Sequence, residues 1–298
     1  MRTLVVIHLL TVASVASAQS TTAPAPDESA SPSAEAEQTE ASNPDEPVGD
    51  SPTEPITVPQ GPAYHVDLEI DIPMLIIPGV LMLGWPLSDT MPPPHCAPLC
   101  DPAGLNPIDR PAAGLYSEAW SMASDIGVGV LLASAVAVPF IDEAPMDALN
   151  DIIVIAQAIA WTEALAILTA MASRRPRPVL YSEKAPLEMR NDPDTALSFF
   201  SGHTGTAFAA STAIFQTLRR RHPDSALPWV ALAVGDAIGI MVAVGRVKAG
   251  RHFPTDVIAA ALVGTGVGLL IPALHDHPIQ VTPMALQGGA GVAVGGAF

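Results

Sequence analysis

The 298-residue sequence predicts an all-α protein, a helical bundle of about five to six helices. Long apolar runs recur through its second half, and no strand-like alternation competes with them before the tail. Nearly half of the residues are apolar but few are aromatic, and Ala, Gly, Val and Leu dominate, as in closely packed helices. The expected helices cover residues 117–140, 146–172, 202–218, 228–244 and 254–274.

The chain ahead of these helices divides into three segments. Residues 1–18 combine a positive start at Arg2, an apolar core and the small residues Ala16-Ser17-Ala18, which predicts a signal peptide; an uncleaved anchor is the alternative. Residues 19–60 contain nine acidic residues and no basic one, which predicts a disordered, Pro/Ser-rich spacer. Residues 61–116 are expected to be irregular, because prolines interrupt their apolar part.

Charge and cysteine content limit the partners and the compartment. The formal net charge of -17 argues against nucleic acid as a partner. Cys96 and Cys100 are the only cysteines, and in an exported protein such a pair predicts a local disulfide. A metal site that includes His95 is the alternative.

The segment from Gly245 to Asp256 combines three residue types that suit anion chemistry. Arg246 could hold an oxyanion through its planar fork of donors. His252 could attack or shuttle a proton near neutral pH, and the carboxylate of Asp256 could reach back to its imidazole. Alone, such residues near a helix start are also typical of caps and surface ion pairs.

Two upstream segments complete the pattern. Ser201-Gly202-His203 provides a helix cap, a glycine and a proton donor, and the free amide groups of a helix start bind phosphate-like anions. Arg174-Arg175-Pro176-Arg177-Pro178 closes an apolar run, where a dipole-stabilised helix end with a proline stop is the alternative interpretation. We expect at least one of these arginines to point into the same pocket as Arg246.

Taken in order, RPRP, SGH and GR-x5-H-x3-D resemble the motifs of the type 2 phosphatidic acid phosphatase superfamily. That superfamily includes bacterial class A acid phosphatases and vanadium haloperoxidases, and its pattern is K-x6-RP, PSGH and SR-x5-H-x3-D. The resemblance covers roughly residues 163–274. It implies a helical bundle of the phosphatidic acid phosphatase type, with a helical core at 117–278.

The resemblance also implies roles for individual residues in a two-step phosphoryl transfer. His252 is the nucleophile that forms a phosphohistidine, Asp256 is its orienting carboxylate, and His203 is the general acid for the leaving group. The implied phosphate-binding residues are Arg177, Arg246, Ser201 and Gly202. No metal or other cofactor is implied, and the motifs contain no cluster at metal-ligand spacing.

The sequence departs from the family pattern at one position that matters for charge. Ala170 stands where the first motif has its lysine, so one phosphate-binding cation is missing. We expect Arg174 or Arg175 to supply this charge, since guanidinium can replace ammonium as an anion ligand. Phe200 and Gly245 replace a proline and a serine that carry no chemistry.

The resemblance predicts an extracytoplasmic phosphatase acting on a phosphomonoester or pyrophosphate, of a lipid or another phosphoester. Two alternatives stay open. One is a degenerate, non-catalytic member that acts as a binding protein because Ala170 replaces the lysine. The other is a vanadate-dependent haloperoxidase.

The helices are expected to lie in a membrane, with a soluble periplasmic bundle as the alternative. Residues 257–274 form an uncharged run of eighteen, long enough to span a bilayer, and Glu163 and Asp236 are expected to face the bundle interior. Alternating helices place the three motifs at one end, and Arg219-Arg220-Arg221 at the other, which the positive-inside rule assigns to the cytoplasm. An exported N-terminus then gives five crossings, so residues 72–87 should lie on or dip into the membrane without crossing. The Gly-rich tail, 279–298, is expected to be a strand or a flexible end.

Overall fold

The computed structural model describes residues 62–84, 86, 90–141, 144–275, 280–286 and 289–295. The predicted signal peptide and acidic spacer lie outside these residues. The helices are α1 (Leu68–Met82), α2 (Glu118–Ala137), α3 (Pro145–Ser173), α4 (Leu187–Arg190), α5 (Gly202–Arg221), α6 (Leu227–Lys248) and α7 (Pro254–Leu274). In the tail, β1 (Gln280–Leu286) pairs antiparallel with β2 (Gly289–Gly295). The helical bundle is confirmed, and the tail forms strands.

Helix α5 forms the centre of the bundle, in contact with α2, α3, α6 and α7. Its buried positions are mostly Ala, Thr, Ser and Gly, so neighbouring backbones can approach it closely. The approach is tightest against α7, where a methyl group added to Gly264 would collide with the carbonyl of Gly205. A methyl group added to Gly268 would lie 2.8 Å from the carbonyl oxygen of Ala209.

Substituting Gly264 by leucine is therefore expected to destabilise the bundle by about 3 kcal/mol, because the larger side chain forces α7 away from α5. The matched control is Gly266→Leu on the same helix, since a methyl group added to Gly266 would meet no atom within 4 Å. Thermal unfolding of both variants in detergent would test this. Equal melting temperatures for the two variants would contradict the close packing of α5 and α7.

Within the residues that the structure describes, four helical segments are long and apolar enough to cross a membrane by length and composition. Their outward faces carry large apolar side chains that are about half exposed, which a water-soluble bundle would bury. Examples are Ile126, Val130, Val136, Trp229, Val234, Ile240, Ile258, Leu262 and Leu270. The two interrupting carboxylates face inward as expected: Asp236 accepts a hydrogen bond from Ser211 on α5, and Glu163 accepts one from Thr206. The protein is a membrane protein.

Most of the segment expected to lie on or dip into the membrane forms α1, which packs along α3. Near one end, Asp71 accepts a hydrogen bond from Gln157 at 2.7 Å and lies 2.8 Å from His275, just past α7. At the other end, Met82 reaches the end of the bundle where the three motifs lie. The expectation of a wholly irregular segment at 61–116 is wrong here, because capping by Asp67 and packing on α3 outweigh the cost of two internal prolines.

Candidate active site

A cavity of about 420 Å³ opens where α3 and α6 end and α5 and α7 begin. All three motifs contribute to its wall, as the alternation of helices predicts. The lining residues are Met82, Glu163, Ala166, Ile167, Ala170, Arg177, Asp194, Leu197, Phe200, Gly202, His203, Arg246, Arg251 and His252.

The backbone of the third motif brings Arg246 and His252 together. After α6 ends, the carbonyl oxygen of Arg246 accepts the amide N–H groups of Arg251 at 3.0 Å and His252 at 3.3 Å. This reversal needs Gly250, which has a φ of 73° and no room for a methyl group against the carbonyl of Leu115. The turn therefore places both motif residues, and Arg251 between them, on one wall of the cavity.

The tautomer of His252 follows from its hydrogen bond. Its Nδ1 lies 2.7 Å from the carbonyl oxygen of Ser198, which can only accept, so Nδ1 carries the proton and Nε2 keeps a lone pair. Burial and the positive charges of Arg177 and Arg246 hold the pKa of His252 well below its usual value. A neutral imidazole with a free Nε2 is the form that a nucleophile requires.

We expect the His252 imidazole to remain neutral at pH 6, where an ordinary histidine with a pKa of about 6.5 is mostly protonated. The direction follows from the lowered pKa, since a lower pH is needed to protonate the buried ring. Nitrogen-15 NMR of histidine-labelled protein in detergent would measure it, with the His252 signal assigned through its loss in His252→Asn. A titration midpoint of the His252 ring at or above pH 6.5 would contradict its burial beside the positive charges of Arg177 and Arg246.

Asp256 acts on His252 through the Ser198 segment. The prediction that its carboxylate contacts the imidazole is wrong, because Oδ2 of Asp256 accepts the Ser198 hydroxyl at 2.6 Å and the Phe253 amide at 2.8 Å. Ser198 then supplies the carbonyl that holds the ring. Asp256 is therefore a positioning residue that links the loop before α5 to the start of α7.

A second buried carboxylate, Asp109, anchors the same region. It accepts the amide and hydroxyl of Thr255 and pairs with Arg175 at 2.6 Å. Burial raises the pKa of the Asp109 carboxyl, but hydrogen bonds from Thr255, Arg175 and Asn106 outweigh it and lower the pKa below its ordinary value. Asp109 is thus charged at neutral pH and compensates Arg175.

These contacts correct the predicted role of two arginines. Arg175 pairs with both Asp109 and Asp256 and stacks 4.6 Å over the ring of Phe253, while Arg174 donates to the carbonyl of Pro92. Neither lines the cavity. Arg174 has a left-handed backbone conformation, which turns the chain at the end of α3. The side chains of Arg174 and Arg175 therefore do not point the same way as Ala170.

The second motif opens α5 at the cavity. Ser201 is fully buried, its hydroxyl accepts the Thr204 amide and donates to the Thr204 hydroxyl, and it does not line the cavity, unlike Gly202 and His203. Ser201 therefore acts as the helix cap. Its hydroxyl is used within α5, and its backbone N–H donates to the carbonyl of Asp256 at 3.4 Å. Gly202 lets the Glu163 carboxylate approach the start of α5, since a methyl group there would lie 2.7 Å from Oε1 of Glu163.

A carboxylate from α2 joins the second and third motifs. Oδ1 of Asp125 lies 3.0 Å from Nε2 of His203 and 3.3 Å from a guanidinium nitrogen of Arg246. A carboxylate in this position orients the imidazole and by itself raises its pKa, but burial and the charge of Arg246 outweigh it and lower the pKa of His203 to about 4. Asp125 therefore holds the His203 ring in place.

Arg177, the predicted arginine of the first motif, is buried in the cavity wall. It donates to the backbone carbonyl of Asp194 at 2.9 Å and to its carboxylate at 2.8 Å. The same carboxylate lies 3.9 Å from the guanidinium of Arg251. Three guanidinium groups, those of Arg177, Arg246 and Arg251, thus line the cavity in the part of the chain that the structure describes.

Several functional residues were not assigned to the site from the sequence. Asp109, Asp125 and Ser198 lie outside every motif, so no spacing signal marks them. Arg251 lies within the third motif at a position where the family pattern accepts any residue. Its position next to His252 is the sequence signal that could have identified it as a site residue.

The predicted disulfide between Cys96 and Cys100 is confirmed. It lies at the cavity end of the bundle, since the Cys100 amide donates to the carbonyl of Leu180 and Arg190 donates to the carbonyl of Pro98. The alternative of a metal site with His95 is wrong, because both thiols are used in the bond. Within the described residues, no group of three or more His, Cys, Asp or Glu side chains is placed to hold a metal ion.

Residues 151–279 match the model of the PAP2 superfamily. The matched residues hold all three motifs, from Ala170 to Asp256. Over 82 residues, 28% of this chain, the sequence is 37% identical to a lipid A 1-phosphatase of Porphyromonas gingivalis, and the match spans only 17% of that relative's length. The crystal structure of a transmembrane PAP2-type phosphatidylglycerolphosphate phosphatase from Bacillus subtilis aligns with a TM-score of 0.44 and 16% identity, over 69% of this chain and 96% of that one.

Proposed function

We propose that this protein is a phosphatase that removes a phosphate group from a phosphorylated lipid through a phosphohistidine intermediate. The observation that carries the proposal is the cavity in which a neutral, buried His252 lies beside three guanidinium groups and His203. Positive charge suits the phosphoryl oxygens, where negative charge accumulates in the transition state.

The proposed reaction has two steps. In the first, Nε2 of His252 attacks phosphorus, the bond to the leaving oxygen breaks, and His203 donates a proton to that oxygen. In the second, His203 takes a proton from a water molecule, which attacks phosphorus and breaks the nitrogen–phosphorus bond. Arg177, Arg246 and the amide groups at the start of α5 bind the phosphoryl oxygens throughout.

A lipid substrate is supported by two observations. The cavity lies at the end of a bundle with an apolar outer surface, within reach of a lipid headgroup. Part of this chain is 37% identical in sequence to part of a lipid A 1-phosphatase. A lipid 1-phosphate is therefore a first candidate substrate.

We further propose that the cavity faces the exterior or periplasm. The disulfide lies at the cavity end, as expected for an oxidising compartment, and Arg219, Arg220 and Arg221 end α5 at the opposite end. In this orientation α1 begins at the cytoplasmic end, because it runs parallel to α3. If α1 crosses the membrane, the chain before it is cytoplasmic and the interpretation of residues 1–18 as a cleaved signal peptide does not hold.

The direct test is phosphate release by the purified protein in proteoliposomes. The substrates are lipid A, phosphatidate, phosphatidylglycerol phosphate and a polyprenyl diphosphate, with a water-soluble phosphomonoester for comparison. We expect release from at least one lipid, and its loss in His252→Ala. If no substrate is hydrolysed and the variant behaves as the wild type does, the proposal fails.

A further inference from the structure

The first motif leaves a gap in the charge of the cavity. Ala170, which stands in place of the motif lysine, is 4% exposed and lines the cavity with a methyl group that offers no hydrogen bond. Arg174 and Arg175 are held elsewhere, by Pro92 in one case and by Asp109 and Asp256 in the other. A replacement cation must therefore come from another part of the cavity wall.

Arg251 lies in the position that such a cation requires. Its backbone is fixed beside His252 by the hydrogen bond to Arg246, and its side chain, 26% exposed, lines the same cavity as Ala170. Of the described carboxylates, that of Asp194 forms an ion pair with it, at the long distance of 3.9 Å. A guanidinium held so loosely can move toward an incoming anion.

The carboxylate of Asp194 marks where that anion would bind. Its Oδ1 pairs with Arg177 at 2.8 Å and its Oδ2 faces Arg251, so one anionic group lies between two guanidiniums in the cavity wall. A phosphoryl group presents three oxygens and more negative charge than a carboxylate, and so can form stronger hydrogen bonds with the same two guanidinium groups. Arg177 would stay in place after the exchange, because its Nε donates to the backbone carbonyl of Asp194.

We propose that Arg251 is the third phosphate-binding cation, in place of the lysine absent at position 170, and that Asp194 competes with the phosphoryl group for Arg177 and Arg251. The inference rests on the proposed function. On this proposal the substitution at Ala170 does not lower the positive charge of the cavity. The charge that the lysine on α3 would supply comes instead from Arg251, in the turn before α7.

The first test uses Arg251→Gln with Lys248→Gln as the matched control, since Lys248 is an exposed cation three residues away that does not line this cavity. We expect Arg251→Gln to lower kcat/KM by roughly 10- to 100-fold and to weaken inhibition by inorganic phosphate by a similar factor. Arg251→Lys should restore part of both, and Lys248→Gln should match the wild type. Values for Arg251→Gln within twofold of the wild type would overturn the proposal.

The second test removes the competing carboxylate and does not depend on turnover. Binding of inorganic phosphate to the purified protein, followed by phosphorus-31 NMR, should be about threefold to tenfold tighter in Asp194→Asn than in the wild type. The double variant Asp194→Asn/Arg251→Gln should lose that gain, because the guanidinium of Arg251, which Asp194→Asn makes available to phosphate, is then absent. Binding in Asp194→Asn that is unchanged or weaker would overturn the role of Asp194.

The two tests separate this inference from the proposed function. If the wild type releases no phosphate from any substrate but binds phosphate through Arg251, the proposed function fails and the inference about the anion site stands. If the wild type is an active, His252-dependent phosphatase that is indifferent to Arg251→Gln, the inference fails alone.

Discussion

Replacing His252 by asparagine is expected to abolish phosphate release, with a fall in kcat of about 10⁴-fold or more. The reason is that asparagine can keep a hydrogen bond to the carbonyl of Ser198 but has no lone-pair nitrogen to attack phosphorus. His252 is 4% exposed and its ring is held by this hydrogen bond, which asparagine can keep, so a change of side chain should alter the chemistry more than the fold.

The matched control for this variant is His95→Asn. His95 is an exposed histidine in the disulfide loop at the same end of the bundle and does not line the cavity. Phosphate release in proteoliposomes and thermal unfolding in detergent should be measured for both variants. A folded His252→Asn protein with more than about one per cent of wild-type activity would be inconsistent with a nucleophilic His252.

Replacing Arg246 by glutamine is expected to lower kcat/KM by about 10²- to 10³-fold. Arg246 is buried in the cavity wall, where its charge would face the oxygens of the proposed phosphoryl group at low dielectric, and it also pairs with Asp125, which holds His203. Its loss should therefore weaken charge stabilisation and disturb the acid. The larger share of the effect is expected in kcat, since charge develops most in the transition state.

Lys248→Gln removes a positive charge from the same helix only two residues further on, but from an exposed position. We expect it to leave kcat/KM within about twofold of the wild type, because solvent screens its charge. Steady-state kinetics at matched ionic strength would compare the pair. Equal losses in both variants would indicate a general electrostatic effect and would argue against a specific contact of Arg246.

The sequence predicted the position of a residue best where a helix directly connects one motif to the next. Arg177, His203, Arg246 and His252 all line one cavity as predicted, because each lies at a helix end and the helices alternate in direction. The same reasoning predicted that Arg219, Arg220 and Arg221 would lie at the opposite end. Order and spacing are sufficient for such residues, since a helix transmits position over its whole length.

The direction of individual side chains was harder to predict. Arg174 and Arg175 follow the end of α3, where a single left-handed residue changes where the following side chains point, and no spacing rule captures that change. The positioning of His252 through Ser198 also depends on a loop whose path is set by tertiary contacts with Asp256. The same limit applies to α1, whose prolines argue against a helix locally but which is held to the bundle by the Asp71–Gln157 hydrogen bond and by packing of Met74.

The covalent intermediate is the most direct test of the account. Wild-type protein mixed with a ³²P-labelled lipid phosphate should be quenched within milliseconds in alkali, which preserves phosphohistidine, and the labelled peptide identified by mass spectrometry. We expect transient label on His252 that is lost in acid and absent from His252→Asn. An active enzyme with no label on His252, or with the label on another residue, would contradict the phosphohistidine mechanism.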